Sequence, residues 1–401
     1  IDLQLLTEQG LLQPGEAAAP DWGLRPDWVD YAKLYANRFL VLKKAWSRSR
    51  WEQDADFSDF YRKNRTWLED YALFMALKDF FGGREWQAWP EEIRLRRPAA
   101  LADWQKRLRQ ETIFWKYVQY LFFSQWERLK DYANQKGIRV IGDIPIYVAA
   151  DSADAWAGRE LFEMDSEGHP RRVAGCPPDY FAEDGQLWGN PLYDWAYHKR
   201  TNYAWWVRRV RHALSIYDIL RIDHFRGFDT YWAIPAGDKN ARGGKWEQGP
   251  GMDLFRALRT ALGDLPIVAE DLGEIFDSVR VLLAESGFPG MKVLQFSLNG
   301  TDSLDLPHNY PAHCVAYPGT HDNNTLRGWL ENETTPAQRK QAKAYFALTE
   351  QEGEITGLLR WAGKPGGAGY CDDGRLAGKR QRSPHEHPRQ PGGQLAVARC
   401  R

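Results

Sequence analysis

Three acidic residues stand at the ends of short apolar segments that lie far apart in the chain: Asp223, Glu270 and Asp322. Cleavage of a glycosidic bond with retention of configuration requires two carboxyl groups on opposite sides of the anomeric carbon. One attacks this carbon, and the other protonates the leaving oxygen. A third carboxylate can hold sugar hydroxyls and stabilise the positively charged transition state. If these three side chains converge, they are suited to chemistry on a sugar.

A cation accompanies the first of these acids. Arg221 precedes Asp223 by two residues, so on a β-strand both side chains point to the same side. A neighbouring guanidinium lowers the pKa of a carboxyl group and would keep Asp223 ionised. The spacing also fits a structural interpretation, because acids at strand ends cap helices and Arg–Asp pairs are commonly structural ion pairs.

Five short, β-branched apolar segments position these residues, and helical stretches such as 253–262 and 275–285 lie between them. The segments are 137–146, 219–223, 265–271, 290–296 and 314–322. Continuous apolar strands that alternate with helices predict a parallel sheet buried on both faces. Polar residues at the strand ends favour a (β/α) barrel, whose active site lies at the carboxyl ends of its strands. A doubly wound open sheet is the rival, but no Gly-x-Gly-x-x-Gly motif follows a strand.

The rest of the chain predicts three regions. Residues 1–130 have helical periodicity and are expected to form a helical insertion together with barrel helices. Residues 131–362 are expected to contain a partial barrel with the catalytic strands and an active-site loop. Residues 363–401 contain no Trp, Phe, Ile or Met, so we expect this tail to be disordered.

Composition excludes several classes of protein. The 401 residues are 43% hydrophobic and 27% charged, with a formal net charge of −1, so neither nucleic acid nor a membrane surface is an expected partner. No apolar run approaches the ~20 residues that span a bilayer. Four scattered cysteines and the lack of a visible secretory signal favour the cytoplasm. The 19 Trp residues fit either a large core or a surface that stacks on sugar rings.

Specific motifs surround the candidate residues. Segments 221–227 (RIDHFRG), 268–273 (VAEDLG) and 319–325 (GTHDNNT) closely resemble the active-site segments of amylomaltases, which are 4-α-glucanotransferases of the α-amylase clan. Residues 175–191 resemble the family's loop over the active site, and residues 141–148 its third barrel strand. The similarity runs over nearly the whole chain, up to about residue 362. It implies a (β/α)8 TIM barrel with helical insertions.

The resemblance also implies roles for individual residues. Asp223 matches the family's nucleophile, which forms a covalent glycosyl-enzyme, and Glu270 matches its general acid/base. Asp322 matches the transition-state stabiliser, supported by Arg221 and His321. The implied reaction is a retaining transfer of α-1,4-glucan segments between maltooligosaccharides, with no cofactor and no metal ion.

Further positions match residues that contact glucan in the family. They are Tyr180, Phe181, Gln186, Trp188, Asp143, Asp179 and Asp271. For Gln186, Trp188, Asp143 and Asp271, a role in packing or in bracing the loop fits the sequence equally well.

By comparison with the family, barrel strands 1, 2 and 8 are expected to be missing from this chain. An open barrel would leave strand edges unpaired, so we expect the isolated chain to be unstable or to associate. Two alternatives to the transferase therefore remain at this stage. One is an α-glucan hydrolase that uses the same carboxylates, although the segment 177–191 favours the transferase, and the other is an inactive glucan-binding fragment.

Overall fold

The chain divides into two compact units, of which the first comprises Ile1–Leu129 and Val148–Arg171. The second comprises Lys130–Tyr147 and Arg172–Arg401. The computed structural model describes residues 1–24, 28–179, 182–273, 275–298, 303 and 305–362, together with the short strands Ala368–Gly369 and Ala396–Val397.

The first unit is built of helices, and two of its long helices begin at capping carboxylates. Asp30 accepts a hydrogen bond from the backbone N–H of Lys33, and Asp54 accepts one from Phe57. The helices are α1 (Leu3–Glu8), α2 (Tyr31–Arg48), α3 (Ala55–Phe80), α4 (Glu91–Arg94), α5 (Pro98–Arg107), α6 (Arg109–Gln135), of which residues 109–129 belong to this unit, and α7 (Ala153–Ala157).

Much of the tryptophan content is core. Trp86 and Trp156 in the first unit and Trp206 in the second are 0% exposed. The indole N–H of Trp156 donates to the carbonyl of Ile93 at 3.0 Å, and that of Trp86 donates to the carbonyl of Ala150 at 2.7 Å. A buried indole N–H is costly without a partner, so these two hydrogen bonds help to hold Trp86 and Trp156 in the core.

The second unit contains the strands. They are β1 (Val140–Pro145), β2 (Arg172–Cys176), β3 (Gln186–Pro191), β4 (Ile219–Asp223), β5 (Thr230–Pro235), β6 (Lys245–Gln248), β7 (Ile267–Ala269), β8 (Gly290–Val293), β9 (Cys314–Tyr317), β10 (Ala368–Gly369) and β11 (Ala396–Val397). Its helices are α8 (Trp195–Arg200), α9 (Ala204–Ile216), α10 (Met252–Leu262), α11 (Asp277–Ser286), α12 (Leu326–Asn332), α13 (Pro336–Tyr345) and α14 (Glu354–Ala362).

The five predicted apolar segments form β1, β4, β7, β8 and β9. β1, β4 and β7 pair in parallel, and so do β8 and β9. The N–H of Ala269 donates to the carbonyl of Pro289 at 2.9 Å and links β7 to the start of β8. Each strand contributes one side chain to a single buried cluster: Ile141, Ile219, Val268, Met291 and Val315. The predicted parallel arrangement of alternating strands and helices is therefore confirmed.

A second sheet corrects the interpretation of residues 175–191 as a loop. It is antiparallel, in the order β3-β2-β5-β6, and the two ends of that segment belong to β2 and β3. A side chain at Gly175 would place its Cβ 2.1 Å from the carbonyl oxygen of Gln186, so the two strands approach closely because this residue is glycine. Glycine and proline obscure the alternating pattern from which strands are recognised.

The predicted disorder of 363–401 falls almost entirely on residues outside the described part of the chain. β10 pairs in parallel with β9, and β11 pairs antiparallel with β1. Among the described residues, no helix is both long enough and apolar enough to cross a membrane.

Candidate active site

Arg221 is the cation around which the candidate site is organised. Its side chain lies on β4 and is buried, with only 6% of the residue exposed. Its Nη1 atom lies 2.5 Å from an oxygen of Asp143 and 3.0 Å from an oxygen of Asp223. One guanidinium nitrogen therefore contacts two carboxylates. This satisfies the requirement that a buried charge be paired.

Strand pairing produces this arrangement. Asp143 on β1 is directly opposite Arg221 on β4 in the parallel register, and Asp223 follows two residues later on the same face. The Nε of Arg221 lies 3.1 Å from the sulfur of Met291 on β8. Burial raises the pKa of Asp143, while the charge of Arg221 opposes this shift. The predicted pairing of Arg221 with Asp223 is therefore present, and Asp143 is a second partner.

Glu270 follows β7 and is buried, with 9% of the residue exposed. One carboxyl oxygen accepts the backbone N–H of Leu272 at 2.7 Å, and the other accepts that of His224 at 2.7 Å. Burial raises the pKa of Glu270 to about 7; Arg221 opposes this rise and Asp223 adds to it. A carboxyl group that titrates near neutral pH can both donate and accept a proton.

Asp322 and His321 lie in the turn after β9 and are exposed; the side chain of Asp322 is 72% accessible. The Nε2 of His321 lies 3.5 Å from an oxygen of Asp322. Asn323 shapes the turn by accepting both the N–H and the hydroxyl of Thr320 at 2.9 Å. The charge of His321 also opposes the rise that burial causes in the pKa of Asp143, which relates this turn electrostatically to the Arg221 cluster.

An aromatic wall, formed by Tyr147, Trp188 and His224, lies beside Asp223. Trp188 and His224 meet edge to face with ring centroids 4.9 Å apart. Tyr147 is buried and packs 6.3 Å from Trp188 and 6.4 Å from His224. Burial lowers the pKa of His224 to about 4, so its imidazole is neutral near pH 7. Sequence reasoning did not assign roles to Tyr147 and His224, although His224 is adjacent to Asp223.

Three other residues that were predicted to contact glucan form hydrogen bonds within the protein. Asp179 accepts the backbone N–H of Ala182 at 2.6 Å, and Gln186 accepts the indole N–H of Trp188 at 3.1 Å. Asp271 accepts the backbone N–H of Met291 at 2.6 Å and so braces the start of β8.

Two of the predicted glucan contacts, Tyr180 and Phe181, lie outside the described residues, and the described residues contain no candidate metal site. No group of three or more His, Cys, Asp or Glu side chains within the described ranges could hold a metal ion.

Comparison with known proteins identifies the family. A family model described as 4-alpha-glucanotransferase matches residues 1–363. The chain belongs to this family. A 4-alpha-glucanotransferase of Clostridium butyricum is 45% identical over 362 residues, which cover 90% of this chain and 74% of that protein. One from Streptococcus pneumoniae serotype 4 is 47% identical over 363 residues, covering 90% and 72%.

The similarity to solved structures agrees with this family assignment. Amylomaltase from Streptococcus agalactiae, solved in complex with acarbose, matches with a TM-score of 0.86 and 42% identity, covering 90% of this chain and 74% of that one. Amylomaltase from Corynebacterium glutamicum matches with a TM-score of 0.70 at 20% identity, covering 92% and 55%, which supports the fold alone. The mixed α/β architecture is of the expected TIM-barrel type, and the protein is an enzyme of the 4-alpha-glucanotransferase class.

Proposed function

We propose that this glucanotransferase transfers α-1,4-glucan segments between maltooligosaccharides through a covalent glycosyl-enzyme on Asp223, with net retention of configuration. The observation that carries the proposal is the difference between the environments of two carboxyl groups, those of Asp223 and Glu270. Asp223 is ion-paired with Arg221, whereas Glu270 is buried and has a pKa of about 7. A nucleophile paired with a proton donor is what retaining transfer needs.

In the first step, a carboxylate oxygen of Asp223 attacks the anomeric carbon and forms an ester. The glycosidic bond breaks, and its oxygen takes the proton of Glu270. In the second step, Glu270 removes the proton from the 4-hydroxyl of an acceptor glucan, whose oxygen attacks the anomeric carbon and releases Asp223. Each step inverts the configuration, so two steps retain it.

Arg221, His321 and Asp322 have supporting roles in this proposal. Arg221 forms an ion pair with Asp223 before attack and compensates the negative charge that returns to this carboxylate on release. Asp322 and His321 are polar groups on the exposed turn after β9, available to sugar hydroxyls and to the positive charge of the transition state. Neither role requires a metal ion or an organic cofactor.

Substrate contacts follow from the chemistry of glucan. A pyranose ring has apolar C–H faces, which stack on aromatic rings, and a rim of hydroxyls, which bond to amides and carboxylates. Trp188 and Gln186 on β3 supply one group of each kind, and we propose Tyr180, Phe181 and Asp179 as further contacts. The acarbose complex of the Streptococcus agalactiae amylomaltase supports an oligosaccharide ligand.

Incubation with maltotriose alone tests the proposal. Transfer yields glucose together with maltopentaose and longer oligomers, whereas hydrolysis yields glucose and maltose without longer products. Asp223→Asn is expected to abolish both, and Asp264→Asn, an exposed acid preceding β7, is the matched control. NMR of the newly formed bond reports its configuration. A β-linked product, or full activity of Asp223→Asn, would refute the mechanism.

A further inference from the structure

Arg209 lies on α9, outside the motifs that surround the acidic residues, and binds the carboxyl end of β1. Its Nη2 donates to the carbonyl of Pro145 at 2.5 Å, and its Nη1 donates to that of Ile146 at 2.9 Å. Nη1 also lies 3.1 Å from the hydroxyl of Tyr193, which itself donates to the carbonyl of Ile146 at 2.7 Å. Two successive carbonyls that leave the sheet are thus satisfied by one guanidinium and one hydroxyl.

This end of β1 is adjacent to the proposed nucleophile. Pro145 is opposite Asp223 in the parallel register, and Asp143, two residues earlier, bonds to Arg221. A displacement of the end of β1 would therefore displace the strand next to the reacting carboxylate. Arg209 holds that end from the helix side without contacting the carboxylates through any of these hydrogen bonds.

The chain that leaves β1 continues directly into the aromatic wall. Tyr147 follows Ile146, and its ring stacks on Tyr193 with centroids 6.0 Å apart and an interplanar angle of 19°. The ring of Tyr147 also packs against the rings of Trp188 and His224. A continuous series of contacts therefore runs from the guanidinium, through Tyr193 and Tyr147, to the wall beside the nucleophile.

The arrangement depends on the planar, forked shape of arginine. The guanidinium of Arg209 lies over the rings of Trp205 and Trp206, at 5.2 and 4.9 Å from their centroids. A lysine ammonium keeps the charge, but it has no fork with which to bond two successive carbonyls in one fixed plane. The neighbouring Arg208 on the same helix is exposed and provides a matched control.

We propose that Arg209 is a positioning residue for glucan transfer: by holding the end of β1, it keeps Tyr147, Trp188 and His224 packed so that water is excluded from the glycosyl-enzyme. This inference rests on the proposed function, in which either water or an acceptor hydroxyl resolves the intermediate. Transfer prevails only while the acceptor is bound and the site is dry. A looser wall favours hydrolysis and weakens acceptor binding.

The test compares Arg209→Gln and Arg209→Lys with Arg208→Gln in the full chain. With maltotriose, the ratio of transfer products to net hydrolysis is expected to fall about tenfold in Arg209→Gln and less in Arg209→Lys, because small displacements of positioning groups have effects of this size or larger. The KM for an added acceptor is expected to rise, while the pH dependence attributed to Glu270 stays in place. Arg208→Gln is expected to match the wild type.

A purely structural role predicts a different result. Arg209→Gln would then lose transfer and hydrolysis in equal proportion to its folded fraction, and that outcome would overturn the inference. If Arg209→Gln does not fold, Tyr193→Phe removes the other bond to Ile146, and an unchanged ratio in that variant would also overturn it. If instead the wild type forms no transfer products or Asp223→Asn stays active, the proposed function itself fails.

Discussion

The raised pKa of Glu270 makes the protein's stability depend on pH in a specific way. The rise from 4.5 to about 7 corresponds to roughly 3 kcal/mol of preference for the protonated form in the folded state. Because the folded protein holds this proton more tightly than the unfolded chain, the contribution is fully present below about pH 4.5. It is lost as the pH rises through about 7.

Replacing Glu270 with Gln removes this titration. We expect the free energy of unfolding of the wild type, minus that of Glu270→Gln, to fall by roughly 3 kcal/mol between about pH 4 and about pH 8. The variant is also expected to differ from the wild type by an amount that does not change with pH. This constant difference arises because the amide nitrogen of Gln faces one of the two backbone N–H donors at this site. Denaturant titrations followed by tryptophan fluorescence at several pH values measure the difference. The matched change at exposed Glu285 on α11 is the control.

The same substitution tests the acid/base role. Loss of a general acid is expected to lower kcat/KM on maltotriose by about 10²–10⁴-fold. A maltosyl fluoride donor needs no proton on its leaving group, so the variant is expected to retain the first step with this donor. The intermediate should then accumulate and appear in mass spectra on the peptide that contains Asp223. In the wild type, kcat/KM should decline above about pH 7, where Glu270 loses its proton.

Two results would refute this reasoning. A stability difference between wild type and Glu270→Gln that is flat across this pH range would show that the carboxyl group titrates normally. Equal loss of activity on maltotriose and on the fluoride would show that the variant lacks more than a proton donor.

Three further substitutions separate the roles of neighbouring residues. Asp143→Asn leaves Arg221 with one carboxylate partner in a buried setting and is expected to destabilise by about 1–3 kcal/mol in thermal unfolding; an unchanged melting temperature would contradict this. Gly142→Ala places a methyl group 1.8 Å from the ring of Tyr217 and is expected to cost about 3 kcal/mol or fold poorly, as circular dichroism would show. Asp271→Ala removes the partner of a β8 backbone N–H, so a bracing role predicts that stability falls by about 1–3 kcal/mol while the KM for maltotriose stays constant; a raised KM would contradict a purely bracing role and support the predicted glucan contact.

The parallel strands were predictable because their signal is local. Segments such as 219–223 and 314–317 are apolar and β-branched, since each strand is buried on both faces. The antiparallel sheet was not predictable in the same way. β3 contains Gly189 and Pro191, and its exposed and buried residues do not alternate regularly. Its pairing with β2 depends on contacts between distant residues, which a local pattern does not encode.

The acidic residues of the site could also be predicted, but their environments could not. Each acid ends or follows a recognisable strand, yet the side chain of Asp322 is 72% exposed and that of Asp223 is 42% exposed, while Glu270 is buried. Burial, and not residue type, is the largest cause of the raised pKa of Glu270. Likewise, Arg209 was not identified because its function depends on carbonyls some 60 residues away in the chain.

His224 shows most clearly why a motif alone is not enough. Its backbone adopts the left-handed conformation, with φ 53° and ψ 49°, directly after the end of β4. In this geometry its N–H donates to the carboxyl group of Glu270, and the next N–H, of Phe225, donates to the carbonyl of Glu270 at 3.0 Å. The turn after the proposed nucleophile therefore holds the proposed acid/base by its side chain and by its backbone. The adjacency of Asp223 and His224 in the sequence thus couples the two carboxyl groups through the main chain, and a change in this turn should disturb both together.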